Sequence, residues 1–482
     1  MSGGAPHRRG GRAGVMAAAA VVCVAACTTG PRYVPPDPMP PAAFKELGPW
    51  TAAQPADDRL RGKWWEIFQD DQLNALEEQL TVSSQTLKAA EAQFLQARAL
   101  VRSAESARMP QVAAGASVGE IDPSDNKPLA SKASTARYTD YVARVDVAYE
   151  ADVWGRVRQT IQANRASAQA SAADVESIGL SLHAELALAY FELRAVDADR
   201  QLVDTSVAAY ERALELTRNR HKGGVASGVD VAQAETQLHS TRAQSIDLGV
   251  RRSQLEHAIA ALIGRPASGF SIPAAPLAGT PPPVPVGLPS TVLERRPDIA
   301  GAERRLMSAN AQIGVARSAL FPLVLLTGSV GVEGASLGDW LKLASNFWSV
   351  APSIAASVFD GGKRRAGVDQ AVAGYERAQA QYRDAVLVAF REVEDNLAAL
   401  RILADEAAVQ NMAVASAQRA LTLSNNRYRG GVATYLEVVI TQAAALQAQR
   451  NALGILRRQM SASVLLVKAL GGGWDRSALP AF

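Results

Sequence analysis

Cysteine is almost absent from this 482-residue chain, and the charges of the two signs nearly cancel. The two cysteines, Cys23 and Cys27, lie four residues apart near the amino terminus, which excludes a disulfide framework and a zinc site built on cysteines. Lysine and arginine total 50 against 47 acidic residues, so the net charge of +3 predicts no attraction to nucleic acid. Aromatic residues make up only 6% of the chain, and no catalytic triad or phosphate-binding glycine loop is present. The sequence therefore indicates a protein that is not an enzyme and needs no metal or bound cofactor.

Proline is missing from two long stretches, residues 129–265 and 353–479. Proline is costly inside helices, and both stretches are rich in Ala, Gln, Arg, Glu and Leu, which favour them. They predict four long helices, at about 157–220, 229–263, 364–427 and 435–470. A 64-residue helix is roughly 95 Å long and needs neighbours along its whole length, as in a coiled coil.

The two stretches are copies of one another. Residues 212–220 match 419–427, and residues 223–227 match 430–434, at an offset of about 207 residues. This spacing is too long for a solenoid and indicates one duplicated half. The predicted organisation is a signal peptide 1–26, an N-terminal segment 27–70, a first repeat 71–265, a Pro-rich linker 266–290, a second repeat 291–473 and a tail 474–482.

Each repeat also predicts a helix followed by two strands. The helices are expected at about 71–108 and 291–320, and the strands at 112–120, 140–150, 324–333 and 349–358. In the second strand, Tyr141, Val145 and Tyr149 alternate with polar residues. This alternation fits the wall of a transmembrane β-barrel and fits a soluble sandwich equally well. Four strands cannot close a barrel, and open edges are not tolerated in lipid, so a membrane location requires several chains to pool their strands.

The amino terminus favours the membrane interpretation. A basic segment precedes an apolar run of about 12 residues, too short to span a bilayer as a helix and typical of an export signal. The run ends in Val-Ala-Ala before Cys27, which resembles a bacterial lipobox; the alternative is an ordinary signal peptide with a chance cysteine. If the lipobox is used, Cys27 carries a diacylglycerol and an N-acyl chain, which together anchor the protein stably in a membrane. Thr28 follows in place of the Asp that retains many lipoproteins in the inner membrane, so the outer membrane is the expected location.

Seven ordered motifs together resemble the TolC family of outer-membrane efflux factors, in its lipoprotein branch. They are the lipobox at Cys27 and the segments at 64–68, 152–156, 295–299, 359–364, 427–431 and 469–474. The resemblance covers essentially the whole mature chain. It implies an α+β membrane protein with duplicated halves, in which a long α-helical coiled-coil barrel joins a transmembrane β-barrel shared between the protomers of a homotrimer.

The resemblance also implies a function and its sites. The trimer would be the passive outer-membrane channel of a tripartite efflux pump for small toxic compounds, working with a periplasmic adaptor protein and an inner-membrane RND-type pump. The expected gate residues are Leu436 and Ile440, and the expected adaptor-contact residues at the periplasmic tip are Gly223, Gly224, Tyr428, Arg429, Gly430 and Gly431. Relatives commonly carry an acidic residue where this chain has Ile440, so we expect a hydrophobic gate that does not respond to divalent cations.

Two other functions remain open on the sequence. An exit duct for type I protein secretion has the same architecture, although the lipobox argues mildly against it. A lipid-anchored periplasmic scaffold of coiled coils would have no pore at all.

Overall fold

The computed structural model describes residues 30–36, 41, 43–46, 62–124, 126, 128, 136–284, 292, 294–340 and 342–482. The helices are α1 (Asp71–Ser83), α2 (Gln85–Ser106), α3 (Arg156–Lys222), α4 (Gly228–Leu262), α5 (Pro297–Ser318), α6 (Lys363–Arg429) and α7 (Tyr435–Ala469). The strands are β1 (Gln111–Ile121), β2 (Tyr138–Glu150), β3 (Leu323–Gly334) and β4 (Asn346–Ala355). The four predicted long helices are confirmed to within two residues at each end.

Three sequence-based expectations about the shorter elements are wrong. The helix expected at 291–320 begins six residues later, at Pro297 (α5), because the backbone of Arg296 is extended. The single helix expected at 71–108 is broken at Ser84, whose hydroxyl accepts a hydrogen bond from the Leu87 N–H and so begins a second helix. The preceding Ser83 donates to the Ile263 carbonyl at the end of α4, 2.5 Å away, which places the break against that helix. The fourth strand begins and ends three residues before the expected 349–358.

The helices are arranged in two levels that share α3 and α6. Close to the sheet, α3 packs against α2 and α5, and α5 packs against α6. Farther from the sheet, α3 packs against α4 and α7, and α7 packs against α6. At 67 residues each, α3 and α6 are about 100 Å long and run through both levels. Each level therefore contains a row of four helices.

The strands form one antiparallel sheet in the order β1-β2-β3-β4. The register aligns Ala114, Val145, Val330 and Trp348 in one row across all four strands. Because side chains alternate between faces, this row and its neighbours two residues away lie on the same side of the sheet. The duplication thus contributes two hairpins that join edge to edge through β2 and β3.

The apolar core lies among the helices and not against the sheet. The larger cluster joins Trp64 and Trp65 to α1, α3, α5, α6 and α7 near the middle of the molecule. A smaller cluster lies at the far end of the long helices and includes Tyr210, Leu214, Tyr428 and Tyr435. In the part of the chain that the structure describes, no helix is both long and apolar enough to cross a bilayer.

A buried acid–histidine pair lies within the larger cluster. The Glu77 carboxyl of α1 is hydrogen-bonded to Nδ1 of His183 on α3, with Oε2 and Nδ1 2.6 Å apart. Trp65 stacks on the imidazole ring, with the ring centroids 4.5 Å apart. Burial raises the pKa of Glu77 to about 9 and lowers the pKa of His183 to about 4. At pH 7 the pair is therefore neutral, and the Glu77 carboxyl donates its proton to Nδ1.

This pair predicts a pH-dependent stability. The pKa of Glu77 is higher in the folded chain than its ordinary value of 4.5, so its contribution is complete below pH 4.5 and is lost as pH rises towards 9. We expect Glu77→Gln, whose amide N–H can donate to the same nitrogen, to remove a slope of about 1.4 kcal/mol per pH unit from the free energy of unfolding. Urea unfolding followed at pH 5, 7 and 9 measures the slope.

The matched control is Glu78→Gln. Glu78 is the next residue, but its side chain is 56% exposed and pairs with Lys63. Its replacement should leave the pH slope of the wild type in place. Equal slopes for the wild type and Glu77→Gln would show that Glu77 is ionised in the folded protein.

Candidate functional site

One face of the sheet is apolar across all four strands and is exposed in the protomer. The exposed fractions of Trp348, Val350 and Ile354 on β4 are 77%, 72% and 74%. The other apolar members of this face are Val112 and Val118 on β1, Val145 and Val147 on β2, and Leu326 and Val330 on β3. An uncovered apolar face of this size needs a nonpolar environment or a partner.

The opposite face of the sheet is polar. Arg144 forms an ion pair with Asp146, with Nε and Oδ2 3.0 Å apart, and Ser329 donates a hydrogen bond of 2.8 Å to the same carboxylate. Among the described residues, β1 and β4 each pair with one strand only, so both edges of the sheet have unpaired backbone groups. A sheet with one apolar face, one polar face and two free edges suits the wall of a barrel that several chains complete.

The motifs that join the sheet to the long helices are capping motifs. The Asp152 carboxylate accepts hydrogen bonds of 2.9 Å from the N–H groups of Val157 and Arg158 at the start of α3. Asp360 accepts in the same way from the N–H of Arg364 at the start of α6, at 3.3 Å. Carboxylates at helix N-termini accept hydrogen bonds from the free N–H groups and interact favourably with the positive end of the helix dipole. The two halves therefore direct their long helices away from the sheet by the same local chemistry.

At their far ends the long helices reverse direction in two tip turns, residues 223–227 and 430–434. Gly224 and Gly431 have φ values of +76° and +77°, in the left-handed region that favours glycine. In each turn a backbone N–H donates a hydrogen bond to a carbonyl at the end of the preceding helix. The Val225 N–H donates to the Arg220 carbonyl, and the Val432 N–H donates to the Arg427 carbonyl. The repeated Gly-Gly pairs thus end α3 and α6 and allow antiparallel hairpins, as the sequence predicts.

The two hairpins are held together at the tip by Arg220. Its Nη1 donates to the Tyr428 carbonyl oxygen at 2.6 Å, and its guanidinium lies 4.6 Å from the centroid of the Tyr428 ring. The Tyr428 hydroxyl lies 3.2 Å from Oγ1 of Thr217, and its ring packs 5.4 Å from that of Tyr435. These contacts join the end of α3 to the end of α6 and the start of α7.

The predicted tip residues have different environments. Gly223, Gly224, Gly430 and Gly431 lie in the turns, and Arg429 is exposed beside them. Tyr428 is only 6% exposed, so little of its side chain is accessible to an adaptor in this conformation, and its role in adaptor contact stays a prediction. It packs inside the protomer because its ring fills the space between the two hairpins.

The predicted gate residues lie on one side of the first turns of α7. Leu436 and Ile440 are four residues apart and therefore share a helix face, and they are 49% and 60% exposed. The described part of the chain leaves about half of each of these apolar side chains uncovered. They are available to meet equivalent residues of other copies around a common axis.

If Leu436 forms the gate that the family resemblance implies, Leu436→Ala should raise pore conductance and the uptake of antibiotics that are too large for a closed tip. Removing the side chain widens an apolar constriction and makes it easier to wet. Single-channel recording and growth on such antibiotics measure the two effects. Val225→Ala, a truncation of an exposed residue in the first tip turn, is the control, and unchanged leakage in Leu436→Ala would argue against the gate.

Arg220 was not identified from the sequence, although a signal for it was present. The duplication aligns Arg220 with Arg427, so an arginine ends the matched segment in both halves. In the structure they have different partners, since Arg427 Nε lies 3.8 Å from the Glu437 carboxylate in its own hairpin. The repeat therefore identifies the positions but cannot show which arginine reaches across to the other half.

The predicted lipidation site, Cys27, lies outside the described residues, as does the predicted signal peptide. The first described residues lie near the junction between the sheet and the helices. Asn310 of α5 donates a hydrogen bond of 2.9 Å to the Pro31 carbonyl. Farther along, the Glu394 carboxylate of α6 accepts from the N–H groups of Lys45 and Glu46, at 2.7 and 2.9 Å. The N-terminal segment therefore contacts α5 near the sheet and then α6.

Comparisons with known proteins agree with this architecture. The family model described as outer membrane efflux protein matches residues 76–265 and 288–472. The chain is 30% identical over 466 residues to the pyoverdine export outer membrane protein OpmQ of Pseudomonas aeruginosa, covering 95% of this chain and 97% of that protein. It is 30% identical over 468 residues to the toluene efflux pump outer membrane protein TtgF of Pseudomonas putida, covering 94% and 95%. The open state of the Neisseria gonorrhoeae MtrE outer membrane channel superposes with a TM-score of 0.80 at 29% identity, covering 93% of this chain and 99% of that one.

Proposed function

Because this chain belongs to the outer membrane efflux protein family, we propose that it forms a homotrimeric, lipid-anchored exit duct with a gate at its tip. In this duct, small toxic compounds pass from the periplasm to the outside of the cell. The observation that carries the proposal is that a single protomer has an open four-stranded sheet at one end and, farther from it, a row of four helices whose two end helices have, among the described residues, a neighbour on one side only.

The helices support closure by further copies. In the level far from the sheet the row runs α4, α3, α7, α6, so α4 and α6 lie at its two ends. Both end helices carry exposed apolar residues, which are Val229, Ile246 and Val250 on α4 and Ile402, Val409, Met412 and Leu423 on α6. Within the protomer, α3, which runs away from the sheet in the first half, contacts α7, which runs back towards the sheet in the second half. The same pairing between α6 and the neighbouring copy's α4 closes the row into a ring.

The sheet supports the same closure. Pairing β4 of one chain with β1 of the next satisfies both free edges and places every apolar face on the outside, towards lipid. Three copies give twelve strands and twelve helices at each level, the number that resemblance to the family implies. The polar face with Arg144 and Asp146 then lines a water-filled lumen.

The N-terminal segment fits a lipid anchor at Cys27. Gly30 lies against Gln159 in the first turn of α3 and Gly314 near the end of α5, both close to the base of the sheet. Gly30 is the third residue after Cys27, and this span is at most about 11 Å of extended chain. Acyl chains on Cys27 can therefore enter the same membrane that contains the barrel.

Efflux through such a duct needs partners that span the periplasm. Two relatives are named as outer membrane proteins of an export system and of a toluene efflux pump. We infer that this chain likewise works with an adaptor protein that engages the tip turns and with an inner-membrane pump that selects the cargo. The Arg220 contacts and the apolar residues Leu436 and Ile440 keep the tip closed until the adaptor engages.

Reconstitution in a planar bilayer tests the proposal. The purified full-length protein should run as a trimer in SDS without heating and as a monomer after boiling, and it should conduct ions in discrete steps. A non-conducting species that is monomeric in detergent would contradict the proposal and favour a coiled-coil scaffold. Metabolic labelling with palmitate, in the wild type and in Cys27→Ser, separately tests the anchor.

A further inference from the structure

A polar cavity lies where α3, α4 and α7 meet in the level far from the sheet. Its volume is about 470 Å³, and its lining combines charged and amide side chains from all three helices with apolar residues such as Val196 and Leu248. The charged residues are Glu192 and Asp199 on α3, Arg251 on α4, and Arg450 and Arg457 on α7. Three guanidinium groups therefore face two carboxylates.

Each carboxylate oxygen in this cavity has an arginine partner. Both oxygens of Asp199 accept from Arg450, at 2.7 Å from Nε and 2.8 Å from Nη2. One oxygen of Glu192 accepts from Nη1 of Arg457, and the other lies 3.6 Å from Nη2 of Arg251. No acceptor in this group is left without a cation.

The donors, in contrast, are in excess. Within the described part of the chain, Arg251 makes only the long 3.6 Å ion pair and its side chain is 55% exposed, and Arg457 uses one of its three nitrogens. Asn451 accepts from Gln447 at 2.7 Å, which leaves its own amide N–H groups free to donate. Guanidinium and amide donors around a net positive charge match an anion that carries several acceptor oxygens.

The cavity faces away from the Pro-rich linker. Arg194 donates to the Pro273 carbonyl at 2.7 Å, and Asp197 accepts from the Ala275 N–H at 3.1 Å, so these two residues mark the linker side of α3. Glu192 and Asp199 are each two residues from one of them, which is a rotation of about 200° around the helix. In a ring of helices with the linker outside, the cavity therefore opens towards the lumen.

We propose that this cavity is an anion-binding site on the wall of the duct, which holds carboxylate, phosphate or sulfonate groups of solutes in transit. Arg251 and Arg457 supply the free donors, and Arg450 is held in place by Asp199. The proposal rests on the duct proposed above, because only the closed ring makes the cavity part of a lumen. Three copies place three such sites at one height.

Binding of a fluorescent pyrene trisulfonate to the detergent-solubilised trimer, followed by anisotropy, tests the site. We expect Arg251→Gln combined with Arg457→Gln to weaken binding by about tenfold or more, since both free guanidiniums are lost. Asp199→Asn should tighten binding, because it releases Arg450 from its partner. Inorganic phosphate and citrate should displace the probe, and their relative potency separates a small inorganic ion from an organic carboxylate.

The control is Arg242→Gln, an exposed arginine of α4 that pairs with Glu211 of the same hairpin and should leave the affinity unchanged. Equal affinity of the double variant and the wild type, opposite behaviour of Asp199→Asn, or failure of both anions to compete would overturn the site. If the wild-type protein does not conduct ions even without the probe, the proposed duct is contradicted instead. Failure of the anion site and failure of the duct are therefore distinguishable.

Discussion

Replacing Val350 with arginine should abolish the heat-sensitive trimer that we propose for this chain. Val350 lies near the middle of β4, in a row with Val147 and Val112, and its side chain is 72% exposed on the apolar face of the sheet. An arginine facing lipid at the middle of a bilayer costs about 2–4 kcal/mol, and three copies in one barrel multiply that cost. The amount of SDS-resistant trimer in outer-membrane fractions measures the effect.

The adjacent residue provides the control for this variant. Ser349 lies on the opposite, polar face of β4, directly across from Ser329, which donates to Asp146. An arginine at 349 meets water and a carboxylate, so Ser349→Arg should assemble close to normally. If both variants assemble equally well, the apolar face is not in contact with lipid.

The second large effect is expected from Arg220→Ala, which should open the tip. The variant loses a hydrogen bond from a charged donor to the Tyr428 carbonyl and the stacking of the guanidinium over the Tyr428 ring. Together these are worth about 2–3 kcal/mol, so the ratio of closed to open tips should fall roughly 30- to 150-fold for each chain. Single-channel conductance in planar bilayers, and uptake of a large hydrophilic antibiotic by cells, measure the opening.

Arg218→Ala is the matched control for the tip. Arg218 is two residues away on α3, and its ion pair with Glu235, 2.6 Å long, lies within one hairpin and is exposed. Such a pair is worth about 0–1 kcal/mol and does not join the two hairpins. An opening as large in Arg218→Ala as in Arg220→Ala would indicate a general loosening of the tip and not the loss of a specific clamp.

Much of the architecture could be predicted from the sequence, because the signals are local. Long stretches without proline, ended by Gly-Gly pairs, determined the four long helices to within two residues. Alternation of apolar and polar residues located the four strands. The break at Ser84 was missed, since a serine inside a helical pattern caps a new helix only when a neighbour, here the end of α4, lies against it.

The sequence by itself determined the duplication, the lengths of the helices and the apolar face of each strand, because periodicity and turn chemistry act over a few residues. Only the tertiary structure decided which helices end the row, that Tyr428 is buried and that Arg220, but not its repeat counterpart Arg427, reaches the other hairpin. It also decided that the arginines near Glu192 and Asp199 outnumber their acceptors. These features depend on contacts between residues up to about 265 positions apart, and no local pattern encodes which of two equivalent side chains finds a distant partner.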